Sequence, residues 1–83
     1  MKNRLENLRK QIDKIDESIV ILLAKRMEIV KKVGKLKKKR SLPPLDNKRW
    51  KEITKTKKGF IREIWEIIHE EALKVEREST KTL

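Results

Sequence analysis

Apolar residues recur along the first half of the chain at alternating steps of three and four. Leu5, Leu8, Ile12, Ile15, Ile19 and Leu22 define the series, and the same count continues through Arg26, Ile29, Val33 and Leu36. This is a heptad seam, the pattern of a helix packed lengthwise on other helices. Between Asn3 and Arg40 only Gly34 weakens it, at about 1 kcal/mol relative to alanine. Leu42-Pro43-Pro44 ends it, because proline lacks a backbone donor and restricts the residue before it. The pattern predicts one helix over residues 3–40, about 55 Å long at 1.5 Å per residue.

Two shorter helices follow. Asp46 suits an N-cap, and a helix of about three turns is expected over 46–57, with Gly59 as the C′ residue that stops it. Ile61, Ile64, Trp65, Ile68, Ala72 and Val75 then recur at spacings of three and four. They give the third helix, 60–78, one apolar face. The tail after Glu78 is expected to fray.

These lengths have a consequence. Helices two and three together span fewer residues than helix one, so folding back cannot cover a ~55 Å seam along its whole length. The uncovered part needs a second copy of helix one. The expected fold is all-α, a single domain over 1–83: a three-helix protomer with one long N-terminal helix, assembled as an intertwined helical homodimer.

Composition sharpens this picture. The chain has 83 residues, of which 36% are apolar and 45% charged. A lone core below ~70–80 residues rarely supplies more than ~3–5 kcal/mol, so buried surface from a twin is a natural supplement. Cysteine is absent and His69 is the single histidine. Disulfides and a cysteine-ligated zinc site are therefore excluded, and any metal site would rest on carboxylates. No window approaches the ~18 uninterrupted apolar residues of a membrane span, and Met1 opens no signal-peptide pattern. A soluble cytoplasmic protein is the expectation.

The net charge is +11, from 24 basic and 13 acidic residues. Residues 1–50 hold 16 of the bases and 6 of the acids, and the excess peaks at Lys31–Arg40, where seven of ten residues are basic. An anionic partner follows, of a class that charge alone does not choose.

Position in the seam is more selective. Arg26 takes a heptad core position where Leu or Ile is expected. One reading is a packed stem with a snorkelling or ion-paired head. The other is a seam that opens into a pocket, where the planar guanidinium fork holds a carboxylate. Lys37 lies eleven residues on, close to three whole turns, and returns to nearly the same face. Arg9 sits beside the seam, and in an antiparallel pair it approaches the middle or far half of the partner's first helix. Glu76 is in line with Ile61, Trp65, Ile68 and Ala72, either as a boundary glutamate paired with a lysine or as part of a site. His69 neighbours that stripe and is expected to be structural or exposed.

At this point the residues resemble a known family. Leu8-Arg9-x-x-Ile12-Asp13-x-Ile15-Asp16, Leu22-Leu23-Ala24-x-Arg26, Val33-Gly34-Lys35-x-Lys37 and Pro44-x-Asp46-x-x-Arg49 look like the all-helical chorismate mutases. The likeness keeps order and spacing through Arg49. It implies a three-helix protomer in an intertwined dimer, with two active sites that each borrow one arginine, here Arg9, from the other chain. It implies rearrangement of chorismate, a small dianion, to prephenate in phenylalanine and tyrosine biosynthesis, with no cofactor and no metal. Arg9 and Arg26 would grip carboxylates, and Lys37 would reach a carboxylate and the ether oxygen. The segment from Asp46 would face the substrate hydroxyl, with Arg49 supporting it. Glu76 would donate to the ether oxygen, for which it must be protonated.

The chain departs from the family at three points. Trp50 stands where many members have a Glu that contacts the hydroxyl; Glu52 is two residues on and on another face. Ala72 falls where relatives often place a hydroxyl side chain. Helix two is trimmed. Two other functions compete. Isochorismate-pyruvate lyases share the fold and cleave the same kind of bond in an isomeric substrate. A basic helical dimer could bind nucleic acid through Lys31–Arg40, but the few aromatics are not interleaved with that run.

Overall fold

A computed structural model describes residues 2–81, with side-chain surroundings for 3–78. It contains three helices and, among the described residues, no strand: α1 (Lys2–Lys39), α2 (Asn47–Thr54) and α3 (Phe60–Lys81). α3 packs along α1, and α2 rests on α3. Among the described residues no helix is long and apolar enough to cross a membrane.

The protomer is long and thin. Its extents are 59 × 28 × 13 Å, and 13 Å is little more than the ~10–12 Å diameter of one helix with its side chains. The radius of gyration is 17.0 Å, against about 12 Å for a compact chain of this length. The accessible surface is 7511 Å², against about 5200 Å² for a compact monomer of this mass. A layer one helix thick has no interior in which to bury two faces.

The heptad seam shows where the missing burial lies. Its apolar members stay exposed from Leu5 (51%) through Ile15 (59%) to Leu36 (47%), and Val33 at 39% is the least so. Helices two and three cover little of the seam: Arg26 alone of its named members is half-buried, and Ile29 and Val33 border the cavity between the helices. α3 packs mainly on a neighbouring stripe of α1, where Leu23, Met27, Val30 and Lys37 are half-buried and Gly34 is buried. That stripe lies roughly a quarter turn around the helix from the seam, at about 100° per residue. Helix one is apolar on two adjacent faces, and the protomer uses one. The opposing stripe on α3 is Ile68, Ala72 and Glu76, each 7% exposed and spaced by four.

The helix ends are set by local chemistry. Ser41 adopts a left-handed conformation, φ 56. Leu42 N–H donates to Lys37 O at 2.7 Å, and Ser41 N–H to Lys38 O at 3.1 Å. This is a Schellman motif with serine at C′. It stops α1 at Lys39, before the prolines are reached. Asp46 is the N-cap of α2, its side chain accepting from Arg49 N–H at 3.1 Å. α2 ends three residues short of the expected Lys57. The Lys57 ammonium donates to Ile53 O at 2.9 Å and lies 4.7 Å over the Trp65 ring, tying the end of α2 to α3. Gly59 is not the stop of α2 but the start of α3. Its φ is 61, and its carbonyl accepts from Arg62 and Glu63 N–H. α3 continues beyond Glu78 to Lys81.

Candidate active site

A cavity of about 310 Å³ opens between the C-terminal half of α1, the connection through Pro44 and Asp46, α2 and α3. It lies within the range of small-molecule sites. α1 supplies Arg26 and Lys37 with Ile29, Val30 and Val33 between them. α2 supplies Arg49, Trp50 and Ile53, and α3 supplies His69, Ala72, Leu73 and Glu76. Five of the six residues singled out in the sequence, Arg26, Lys37, Asp46, Arg49 and Glu76, therefore face one space.

Arg9 is the exception. It is exposed near the far end of α1, seventeen positions from Arg26 or about 25 Å along the helix. Its own chain gives it no route to the cavity.

Lys37 is the best-anchored cation. Its Nζ donates to Pro44 O at 2.7 Å and lies 2.6 Å from Glu76 Oε1. The Schellman turn holds it there, since it brings the Pro43-Pro44 segment back over the last turn of α1. The contact with Glu76 is an ion pair by distance, but Oε1 has no hydrogen bond of good direction and is buried. An ammonium has three donors, so capacity remains for a third partner.

Arg26 is half-buried, and its Nη1 is fully buried without a hydrogen-bond partner. A buried guanidinium nitrogen left unpaired costs free energy. The fold holds it beside the cavity, where a guanidinium can pair with a carboxylate.

Arg49 is more exposed and reaches Glu52 at 3.8 Å on the outer face of α2. Glu52 does not line the cavity.

Two residues beyond those assigned from the sequence complete the wall. Trp50 and His69 stack with ring centroids 4.1 Å apart and an 18° interplanar angle. The stack joins α2 to α3 and gives the cavity a flat aromatic side. Thr54 helps fix it: its buried hydroxyl donates to Trp50 O at 3.0 Å. The His69 pKa is pushed below its ordinary 6.5, first by burial; Arg26 and Lys37 lower it further, while Glu76 and Glu70 oppose them. His69 is half-buried rather than exposed, its stack on Trp50 is the structural role expected of it, and its imidazole is neutral at neutral pH.

The chemistry of the cavity is thus specific. Fixed cations stand on one side, a carboxyl group touches one of them, and apolar residues fill between. It suits a compact dianion with an apolar body.

The sequence is similar to that of known proteins. The family profile described as chorismate mutase type II matches residues 8–77. A bifunctional chorismate mutase/prephenate dehydratase of Aquifex aeolicus (strain VF5) is 49% identical over 39 residues, which cover 47% of this chain and 11% of that protein. A protein called T-protein, of Haemophilus influenzae, is 46% identical over 39 residues, covering 47% of this chain and 10% of its own length. The matched segment is thus only about a tenth of either relative. No solved structure matches. With its match over residues 8–77, the chain belongs to the chorismate mutase type II family.

Proposed function

We propose that this chain is a chorismate mutase, an isomerase converting chorismate to prephenate in aromatic amino acid biosynthesis. The observation that carries it is the buried, unpartnered Nη1 of Arg26 in the same cavity as Lys37 and Glu76. One substrate carboxylate pairs with Arg26, relieving the orphaned nitrogen. Charge-assisted hydrogen bonds of this kind contribute about 1.5–3 kcal/mol each.

The reaction is intramolecular: a carbon–oxygen bond breaks as a carbon–carbon bond forms. The protein has two tasks. It holds the flexible enolpyruvyl arm in the compact reactive shape, for which Arg26 and the apolar residues beside it are placed. It also stabilises negative charge growing on the ether oxygen. Lys37 does so with its remaining donor, and Glu76 does so when protonated, since an ionised carboxylate has no proton to give.

The site is completed by a second copy. Two protomers pair through the exposed seam of α1 in an intertwined dimer. Arg9 of the partner subunit then reaches the second carboxylate. The extra surface of the thin protomer, roughly 2300 Å² above a compact chain, is of the size an obligate interface buries. The dimer works in the cytoplasm on a free small substrate.

The test is direct. Wild-type protein should consume chorismate and form prephenate, and Arg26→Ala should lose at least a hundredfold in kcat/KM. Absence of wild-type turnover defeats the proposal. Pyruvate release from isochorismate, without turnover of chorismate, would assign the lyase reaction instead.

A further inference from the structure

The cavity contains a group that the reaction as described above does not use. His69 lies in its wall, face to face with Trp50 at 4.1 Å. Among the described residues no side chain or carbonyl hydrogen-bonds to its imidazole. Stacking fixes the ring plane and leaves its edge, with both nitrogens, as the polar part.

Chorismate has four polar features: two carboxylates, an ether oxygen and a ring hydroxyl. The cations of the cavity match the carboxylates, and Lys37 with Glu76 matches the ether oxygen. A hydroxyl both donates and accepts, so it is matched best by a neutral group able to give and take a hydrogen bond. Asp46 is a poor candidate, because its carboxylate already caps α2, accepting from Arg49 N–H at 3.1 Å, and has no donor to offer. Glu76 is held at Lys37. Trp50 can donate but not accept. His69 has no hydrogen-bond partner among the described residues, and burial, together with Arg26 and Lys37 against Glu76 and Glu70, keeps it neutral at neutral pH. A neutral imidazole has one donor and one acceptor, the complement of a hydroxyl.

We propose that the His69 imidazole, held flat by the Trp50 indole, binds the ring hydroxyl of the substrate and sets specificity at that end of the cavity. The inference rests on the mutase reading and deepens it. His69 is a binding residue, and Trp50 is a positioning residue that acts through it.

The experiment compares chorismate with its analogue lacking the ring hydroxyl. Wild-type protein should favour chorismate about tenfold in kcat/KM, the discrimination expected of one hydrogen bond in a partly desolvated site. His69→Leu should lose about tenfold on chorismate, change less than twofold on the deoxy analogue, and so erase the preference. His69→Gln, which keeps a donor and an acceptor, should restore most of it. Equal losses on both substrates in His69→Leu, or a preference unchanged from wild type, would overturn the inference. His69 is the sole histidine, so its imidazole nitrogen resonances are unambiguous in wild-type protein. They should move when prephenate is added, and an unmoved imidazole at saturation also overturns it. A wild type inert towards chorismate removes the mutase reading and this inference with it; an active one with the wrong preference removes this inference alone.

Discussion

Lys37 Nζ lies 2.6 Å from Glu76 Oε1, with the two side chains only 19% and 9% exposed. The pair bridges α1 and α3 inside the cavity, so one contact serves both packing and chemistry. Separating such a pair leaves a buried charge uncompensated, whereas replacing both members removes the desolvation penalty too. Lys37→Met should therefore destabilise the protein by about 3 kcal/mol. The double variant Lys37→Met/Glu76→Leu should recover most of that loss. Urea denaturation of the two single variants and the double variant reads the coupling; a double variant as unstable as the sum of the singles contradicts it.

The same pair predicts the effect of an amide at position 76. A carboxylate beside Lys37 repels charge growing on the ether oxygen, whereas an amide N–H donates to it. Glu76→Gln should therefore turn over chorismate faster than Glu76→Leu, which removes the charge but has no donor. Chorismate consumption by the two variants decides this, and equal rates rule out the role.

Arg26 predicts opposed effects on activity and stability. Its Nη1 is buried and unpaired, a cost borne by the free protein. Arg26→Met keeps the stem and drops the unpaired charge, so the folded state should gain about 1 kcal/mol. Loss of a bidentate carboxylate partner should meanwhile lower kcat/KM at least a hundredfold, about 3 kcal/mol at 1.4 kcal/mol per tenfold. A variant that is both less active and less stable would mean that Arg26 is structural.

Much of this site was legible in the sequence, and the reasons are periodic. Arg26 broke an apolar series, Lys37 returned to its face after three turns, and Glu76 continued the stripe of Ile68 and Ala72. Regular helices carry such relations over long distances. What periodicity could not show is which of two adjacent apolar faces of α1 the protomer would use for itself. Leu22 and Leu23 are equally apolar, and only the fold shows Leu23, Met27 and Val30 under α3 with Leu22 left exposed. The helix ends were hidden for another reason. Pro43 and Pro44 were the visible stop signal, yet a serine in a left-handed conformation acts first. The Trp50–His69 stack joins two helices through residues nineteen positions apart, with no local signal. The absence of the expected Glu at position 50 was its single trace.

Ser41 offers a stability test of the α1 terminus. A side chain at φ 56 is strained where glycine is not. Ser41→Gly should stabilise the protein by about 0.5–1 kcal/mol, read as a rise in thermal midpoint with kcat/KM unchanged. A fall would show that the serine side chain contributes a contact worth more than the strain.

His69 predicts how stability responds to pH. Its pKa is lowered from 6.5 on folding, chiefly by burial. Between the folded and unfolded values the unfolded chain binds more protons, so stability rises with pH in that window. The contribution is fully present above pH 6.5 and is lost as pH falls through the folded value. Urea midpoints of wild type and His69→Gln should diverge in slope over this window, the wild type losing more stability on acidification. Parallel curves would show that the imidazole titrates alike in both states.

The last prediction concerns Arg9. If it serves the partner's site, Arg9→Ala and Arg26→Ala homodimers are each inactive for different reasons. In a mixed dimer of the two, one site combines the intact Arg26 of one chain with the intact Arg9 of the other. The second site lacks both. Unfolding and refolding an equimolar mixture makes half of the dimers mixed, each with one whole site, so activity should return to about a quarter of wild type by isologous two-fold pairing. If instead Arg9 acted within its own chain, no mixture could restore a site, because every chain would carry one lesion. The distance along α1 from Arg9 to Arg26, about 25 Å, makes that second outcome incompatible with a straight helix. Placing Ile12→Asp in both chains should abolish the recovery, since a charge in the seam prevents pairing. Sedimentation of that variant should then give the mass of one chain, 10.0 kDa.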